Sequence, residues 1–167
     1  LFRSTSEIQL IVSATQIPAS FQHNFVVCDD YVDTANDDTD GIATFNFSTV
    51  TSDIQAILPS PAAAYTIKYF PTQADALAET NEITNTTSYR NTIANQHPIY
   101  VRVDSNLDNA CFGLGNYVTL TVEKLPVANP ITDYKECDEI SNDGIFTFNT
   151  ATLQTDLLKG QTNVAVT

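Results

Sequence analysis

The chain has no methionine and no tryptophan, only five glycines, and seven lysines and arginines against 20 aspartates and glutamates. The formal net charge is −13. A surface of that sign repels phosphate backbones and anionic lipid, so the expected partners include no nucleic acid. The same charge suits a soluble extracellular chain, divalent cations, or polar partners such as glycans. No run of about 18 apolar residues occurs, so no membrane insertion by this segment is expected. There is no initiator methionine and no basic stretch leading into an apolar one, and Leu1-Phe2-Arg3 reads as mid-chain. Zinc has little basis: Cys-x-x-Cys is missing and His23 and His97 stand alone, His97 before Pro98 as in a loop. A local Ser/His/Asp motif and a glycine-rich phosphate loop are missing too. Paired carboxylates in a solvated loop lack the apolar setting that drives their pKa values apart. The sequence therefore reads as non-catalytic.

What is present is a repeat. Asp40-Gly41-Ile42-Ala43-Thr44-Phe45-Asn46-Phe47 recurs as Asp143-Gly144-Ile145-Phe146-Thr147-Phe148-Asn149-Thr150, at a constant offset of 103 residues. Upstream, Cys28-Asp29 matches Cys137-Asp138 at an offset of 109, so the first copy's acidic loop carries six extra residues. Ile8-Gln9-Leu10-Ile11-Val12 before Ile17-Pro18 matches Val118-Thr119-Leu120-Thr121-Val122 before Leu125-Pro126. Solenoid units repeat every ~20–50 residues, so this longer period is that of a tandem domain. Residues 1–18 read as the last strand of a preceding repeat, 19–127 as a complete one, and 128–167 as the truncated start of the next.

Within the complete repeat the pattern is mostly strand. Residues 42–47, 65–70, 99–103 and 117–122 alternate with period two. Turn chemistry separates them at Asp40-Gly41, Pro59-Ser60-Pro61, His97-Pro98 and Gly113-Leu114-Gly115. Thr72-Gln73-Ala74-Asp75 has the spacing of a helix capping box, and residues 51–58 suit a turn or two of helix before Pro59. Short strands at regular spacing predict an all-β fold, an immunoglobulin-like β-sandwich with one or two short helical turns. The linker Val127-Ala128-Asn129-Pro130 is short, and its proline limits swivel between neighbouring repeats.

Three cysteines are present, Cys28, Cys111 and Cys137. Their phase in the repeat predicts a Cys28–Cys111 disulfide within the complete repeat, leaving Cys137 without its partner; the alternative is three unrelated thiols. A disulfide places the protein in an oxidising compartment, extracellular or on a cell surface. Between Cys28 and Gly41 lie Asp29, Asp30, Asp33, Asp37, Asp38 and Asp40, and a second acidic loop carries Asp104 and Asp108 just before Cys111. If the two cysteines are bonded, both loops share one pole, and these carboxylates could hold Ca²⁺ as the only cofactor. The competing reading is a set of Asx turns that need no metal. The third copy keeps only Cys137-Asp138-Glu139-Ile140-Ser141-Asn142-Asp143-Gly144, which favours the turn.

The Cys-Asp, acidic-loop, Asp-Gly-Ile-x-Thr-Phe-Asn pattern is followed by Tyr69-Phe70-Pro71-Thr72-Gln73-Ala74-Asp75-Ala76, Ile99-Tyr100-Val101-Arg102-Val103 and Cys111-Phe112. Together these resemble the repeat domains of large flavobacterial surface proteins, including SprB-like gliding-motility adhesins exported by the type IX secretion system. That resemblance implies a stalk or spacer repeat for cell adhesion or gliding. Its partners would be neighbouring repeats of the same chain and a surface polysaccharide or substratum. Leu1-Phe2 stands where Cys111-Phe112 would align, so the preceding repeat departs from the pattern. Asp33-Thr34-Ala35 resembles the O-glycosylation sequence of such organisms, with Thr34 as the acceptor. The alternative function is a glycan- or protein-binding module, using Tyr31, Tyr89 or Tyr117 as stacking faces, or one appended to a secreted hydrolase.

Overall fold

The computed structural model describes residues 15–32, 39–106, 111–138, 140–162, 164 and 166. The strand expected over residues 8–12 lies outside them. The chain divides into two compact units, Leu1–Lys124 and Leu125–Thr167. No helix among the described residues is long and apolar enough to cross a membrane.

The first unit is mostly β. Among the described residues six strands, β1 (His23–Cys28), β2 (Thr44–Phe45), β3 (Tyr65–Phe70), β4 (Tyr89–Arg90), β5 (Gln96–Ser105) and β6 (Phe112–Glu123), form two sheets. The larger sheet has the order β1-β6-β5-β3, and β2 pairs with β4 in the smaller. β1 runs parallel to β6, with His23 opposite Val118 and Cys28 opposite Glu123; the β3–β5 and β5–β6 pairs are antiparallel.

Strict alternation decides the faces. His97, Ile99, Val101, Val103 and Ser105 of β5 all point inward, as do Val118, Leu120 and Val122 of β6. They meet Phe45 and Phe47 and the helix α1 (Thr49–Ile57). Val50, Ile54 and Leu58, each four apart, form the buried stripe of α1 and its end. The chain turns extended at Leu58, as the residue before Pro59 must. Helix α2 (Gln73–Ala78) starts at Thr72, whose hydroxyl accepts the Asp75 N–H at 3.1 Å. Arg102 of β5 donates to the Ala76 carbonyl at 3.0 Å and pairs with Glu79, which also holds Lys68, so α2 is pinned by ions to the sheet.

Two expected turns prove otherwise. His97 and Pro98 lie inside β5. β3 reaches only as far as the residue opposite Tyr100, so β5 has a neighbour on one side at Pro98, where a missing N–H is tolerated. His97 is fully buried: Nδ1 accepts the Thr92 N–H at 3.3 Å and Nε2 donates to the Pro71 carbonyl at 3.2 Å. Gly113 and Gly115 lie inside β6, and the reason for glycine is close approach. A Cβ at Gly113 would sit 2.0 Å from the Thr15 carbonyl oxygen, and one at Gly115 would sit 2.6 Å from the Tyr117 ring.

In the second unit, α3 (Leu153–Leu158) falls in the same place in the repeat as α1. Asn149 Oδ1 accepts the Ala151 N–H at 3.0 Å, as Asn46 Oδ1 accepts the Ser48 N–H at 3.1 Å. The expected linker is not a free tether. Gln161 brackets Val127, accepting its N–H at 2.8 Å and donating to its carbonyl at 2.7 Å, and Asn129 N–H donates to Leu157 at 3.0 Å. Phe148 is 44% exposed where its counterpart Phe45 is 1% exposed.

Candidate functional site

The residues that recur between copies meet at the end of β6. The Asp29 N–H extends the β1–β6 ladder by donating to the Glu123 carbonyl at 2.8 Å. The Asp29 side chain is 4% exposed, and its Oδ2 accepts the Gly41 N–H at 2.8 Å while Oδ1 accepts the Asp30 N–H. Gly41 has φ +75°, and a Cβ there would meet the Asn95 nitrogen at 2.7 Å, so glycine is required twice over. Asp40 Oδ1 accepts the Ile42 N–H at 2.8 Å, an Asx turn that aims the chain into β2. The second copy rebuilds the same clasp: Asp138 Oδ2 accepts the Gly144 N–H at 2.6 Å, and Asp143 Oδ1 accepts the Ile145 N–H at 2.9 Å. It does so with six fewer residues between the two ends.

Two residues that sequence reasoning missed support the clasp. Asn91 is buried; its Oδ1 accepts the Ala43 N–H, and its Nδ2 donates to the carbonyls of Gly41 and Ile93. Arg90 donates to Asp30 at 2.8 Å, and Asp30 also accepts the Thr44 N–H at 3.0 Å. Burial pushes the Asp30 carboxyl up, but the Arg90 and Thr44 bonds outweigh it and hold the group below the usual 3.8. Arg90-Asn91 carries no local motif; only the long-range pairing of β2 with β4 brings it to the loop.

The other acidic segment is at the opposite end of β6. Asp104 faces Phe112 across β5–β6 and is held by Arg102 at 2.7 Å and Lys68 at 3.3 Å. Arg102 also lies 4.3 Å over the Phe112 ring. The expected single acidic pole is therefore corrected: the length of β6 lies between the two loops in the first unit. Of the eight carboxylates considered for Ca²⁺, Asp33, Asp37, Asp38 and Asp108 lie outside the described residues, as does Thr34. The other four do not converge. Asp29 and Asp40 bind backbone N–H groups, Asp30 binds Arg90, and Asp104 is at the far end. Among the described residues no group of three or more His, Cys, Asp or Glu could hold a metal ion.

The positions of the two cysteines do not suit the expected Cys28–Cys111 disulfide. Cys28 faces Glu123 at one end of β6 and Cys111 immediately precedes its other end, so the length of the strand lies between them. At about 3.4 Å per residue this is roughly 40 Å, and a disulfide needs Cα atoms within about 7 Å. In the sequence Cys28 opens the repeat and Cys111 lies just before its last strand, and the parallel pairing of β1 with β6 puts these two points at opposite ends. The three tyrosines do not form a platform either: Tyr31 is 67% exposed, Tyr89 packs edge-on against Phe47, and Tyr117 is buried with its hydroxyl on the Ile17 carbonyl.

No curated protein and no solved structure matches the chain. The sequence profile of one family does, over residues 24–126, from inside β1 to just past β6. That span covers more than half of the chain and both of the cysteine ends described above, and the chain belongs to the family described as the Flavobacterium inter-domain disulphide bond domain.

Proposed function

We propose that this chain is a non-catalytic structural repeat of a secreted, multidomain bacterial cell-surface protein, a stalk or spacer of an adhesin used in surface attachment or gliding. The observation that carries the reading is the repetition of the Asp29–Gly41 clasp as Asp138–Gly144, with the Asp-to-Gly bond and the following Asx turn both recurring. What recurs between copies is a device that shapes the backbone, and a stalk needs shape and copy number above all. The family description adds that such domains take part in disulfides between domains, which belong to an oxidising, extracellular setting. The strand order also supports the immunoglobulin-like reading, with β3, β5 and β6 in the places of strands C, F and G, and β2 and β4 facing them as B and E.

The test is an in-frame deletion of one complete repeat from the full-length protein. Surface display and attachment should persist, with attachment weakening in step with the number of repeats removed. Abolished attachment at normal display would instead make this repeat a binding module.

A further inference from the structure

His97 is fully buried near the start of β5, and both of its ring nitrogens are committed. The Pro71 carbonyl can only accept, so Nε2 carries the proton and donates to it at 3.2 Å. The Thr92 N–H can only donate, so Nδ1 is bare and accepts it at 3.3 Å. These partners fix one neutral tautomer. A second proton has one place to go, Nδ1, where two N–H groups would then face each other inside the protein.

Thr92 belongs to the turn that holds the clasp. Asn91 Nδ2 donates to the Gly41 carbonyl at 2.9 Å, and Asn91 Oδ1 accepts the Ala43 N–H at 2.7 Å. The Asn95 N–H donates to the same Gly41 carbonyl at 2.9 Å. Gly41 in turn donates to Asp29. Of the two groups bonded to the imidazole, Pro71 directly follows β3, which is paired into the larger sheet, whereas Thr92 is exposed in the turn between β4 and β5. The group that gives way to a second proton is therefore Thr92.

We propose that His97 is a proton-operated latch: when Nδ1 takes up a proton, Thr92 is pushed off, the turn over residues 91–95 releases the Gly41 carbonyl, and the Asp29–Gly41 clasp opens. The surroundings of the ring leave the proton no counter-charge. Tyr89 of β4 faces the imidazole with ring centres 6.0 Å apart, and burial pushes its hydroxyl up, so it stays neutral. Leu120, opposite His97 on β6, and Pro71 carry no charge. Glu82 and Arg90 line the open groove bounded by Pro71, Tyr89 and Thr92; Glu82 is exposed, and Arg90 is held by Asp30. Burial keeps the folded imidazole below its usual 6.5. Opening returns the ring to water and so takes up a proton. The open form is therefore rare above about pH 6.5 and grows as the pH falls below it.

Amide hydrogen exchange in the full chain, corrected for its intrinsic pH dependence, reads the latch at Gly41, Ala43, Thr92 and Asn95 against the central amides of β5 and β6. Between about pH 7 and about pH 5, where histidine titrates and ordinary carboxylates stay ionised, the four should lose protection severalfold more than the central ones. In His97→Gln the amide oxygen can accept from Thr92 while the nitrogen donates to Pro71, and the difference should vanish. In His23→Gln, which changes the other of the two histidines, it should remain. Should His97→Gln fail to fold, the imidazole nitrogen NMR shifts of the unaltered chain decide. Nδ1 should take up its proton at the pH at which the four amides lose protection. Equal protection at both pH values, an equal loss at the central amides, a loss that persists in His97→Gln, or proton uptake at a different pH would each overturn the latch.

Discussion

Asp29 shows why an acidic loop need not be a cation site. Its carboxylate is taken up by two backbone N–H groups, which do for the charge what a metal would otherwise do. Removing it strands the Gly41 N–H beside a buried turn. Asp29→Ala should therefore cost about 2–3 kcal/mol in denaturant unfolding, by the usual worth of a charged hydrogen bond. The loss should be equal with calcium and with a chelator; a loss seen only in calcium would restore the metal reading. His97 sets the pH response. Burial pushes its imidazole below the usual 6.5, opposed by the bond to the Pro71 carbonyl. Below about 6.5 the unfolded chain takes up a proton that the folded chain refuses. Stability is thus complete above that pH and falls as pH drops through the lower folded value. His97→Gln, whose amide can still donate to Pro71, should flatten unfolding free energy between pH 6.5 and 5, measured by urea titration. An unchanged slope would assign the effect elsewhere. Neither residue's role was visible in sequence: Asp29 read as a possible ligand and His97 as a loop residue. Both depend on groups more than a turn away, Gly41 and Pro71.

Elements were more legible where local chemistry decides them. β3 is found at the residues expected, because Tyr65-Thr66-Ile67-Lys68-Tyr69-Phe70 alternates and is closed by Pro71. α2 is found behind its Thr72 cap, and Thr72→Ala should cost about 1 kcal/mol, the usual worth of a side-chain cap. Chemical denaturation checks this, and a cost near zero would leave α2 to the ions of Lys68, Arg102 and Glu79 alone. β5 and β6 were seen in their centres and missed at their ends, because Pro98, Gly113 and Gly115 signal turns locally. Their places are decided by long-range contacts, the end of β3 and the approach of Thr15 and Tyr117. Two glycines test the difference. Gly144 has open space around it and φ +77°, so Gly144→Ala should carry backbone strain alone, about 1 kcal/mol. Gly113→Ala drives a Cβ into the Thr15 backbone and should displace the incoming segment, read as faster amide exchange at residues 15–23.

At the scale of the molecule, the mostly-β class was legible and the position of the cysteines was not. The mostly-β class could be read because period-two alternation is written in local pattern. The direction of β1 against β6 is written nowhere locally, and it alone sends Cys28 and Cys111 to opposite poles. Cysteines so placed are too far apart to bridge within the first unit. The midpoint of thermal unfolding of a fragment spanning residues 19–127, with and without reductant, tests this most directly. A bridge closing a loop of this size would contribute about 4 kcal/mol, or upwards of ~15 °C in a domain near 100 residues. The account predicts the same midpoint in both conditions, within about 1 °C at this sensitivity; a fall of many degrees on reduction would contradict it, by showing that Cys28 and Cys111 bridge within the domain.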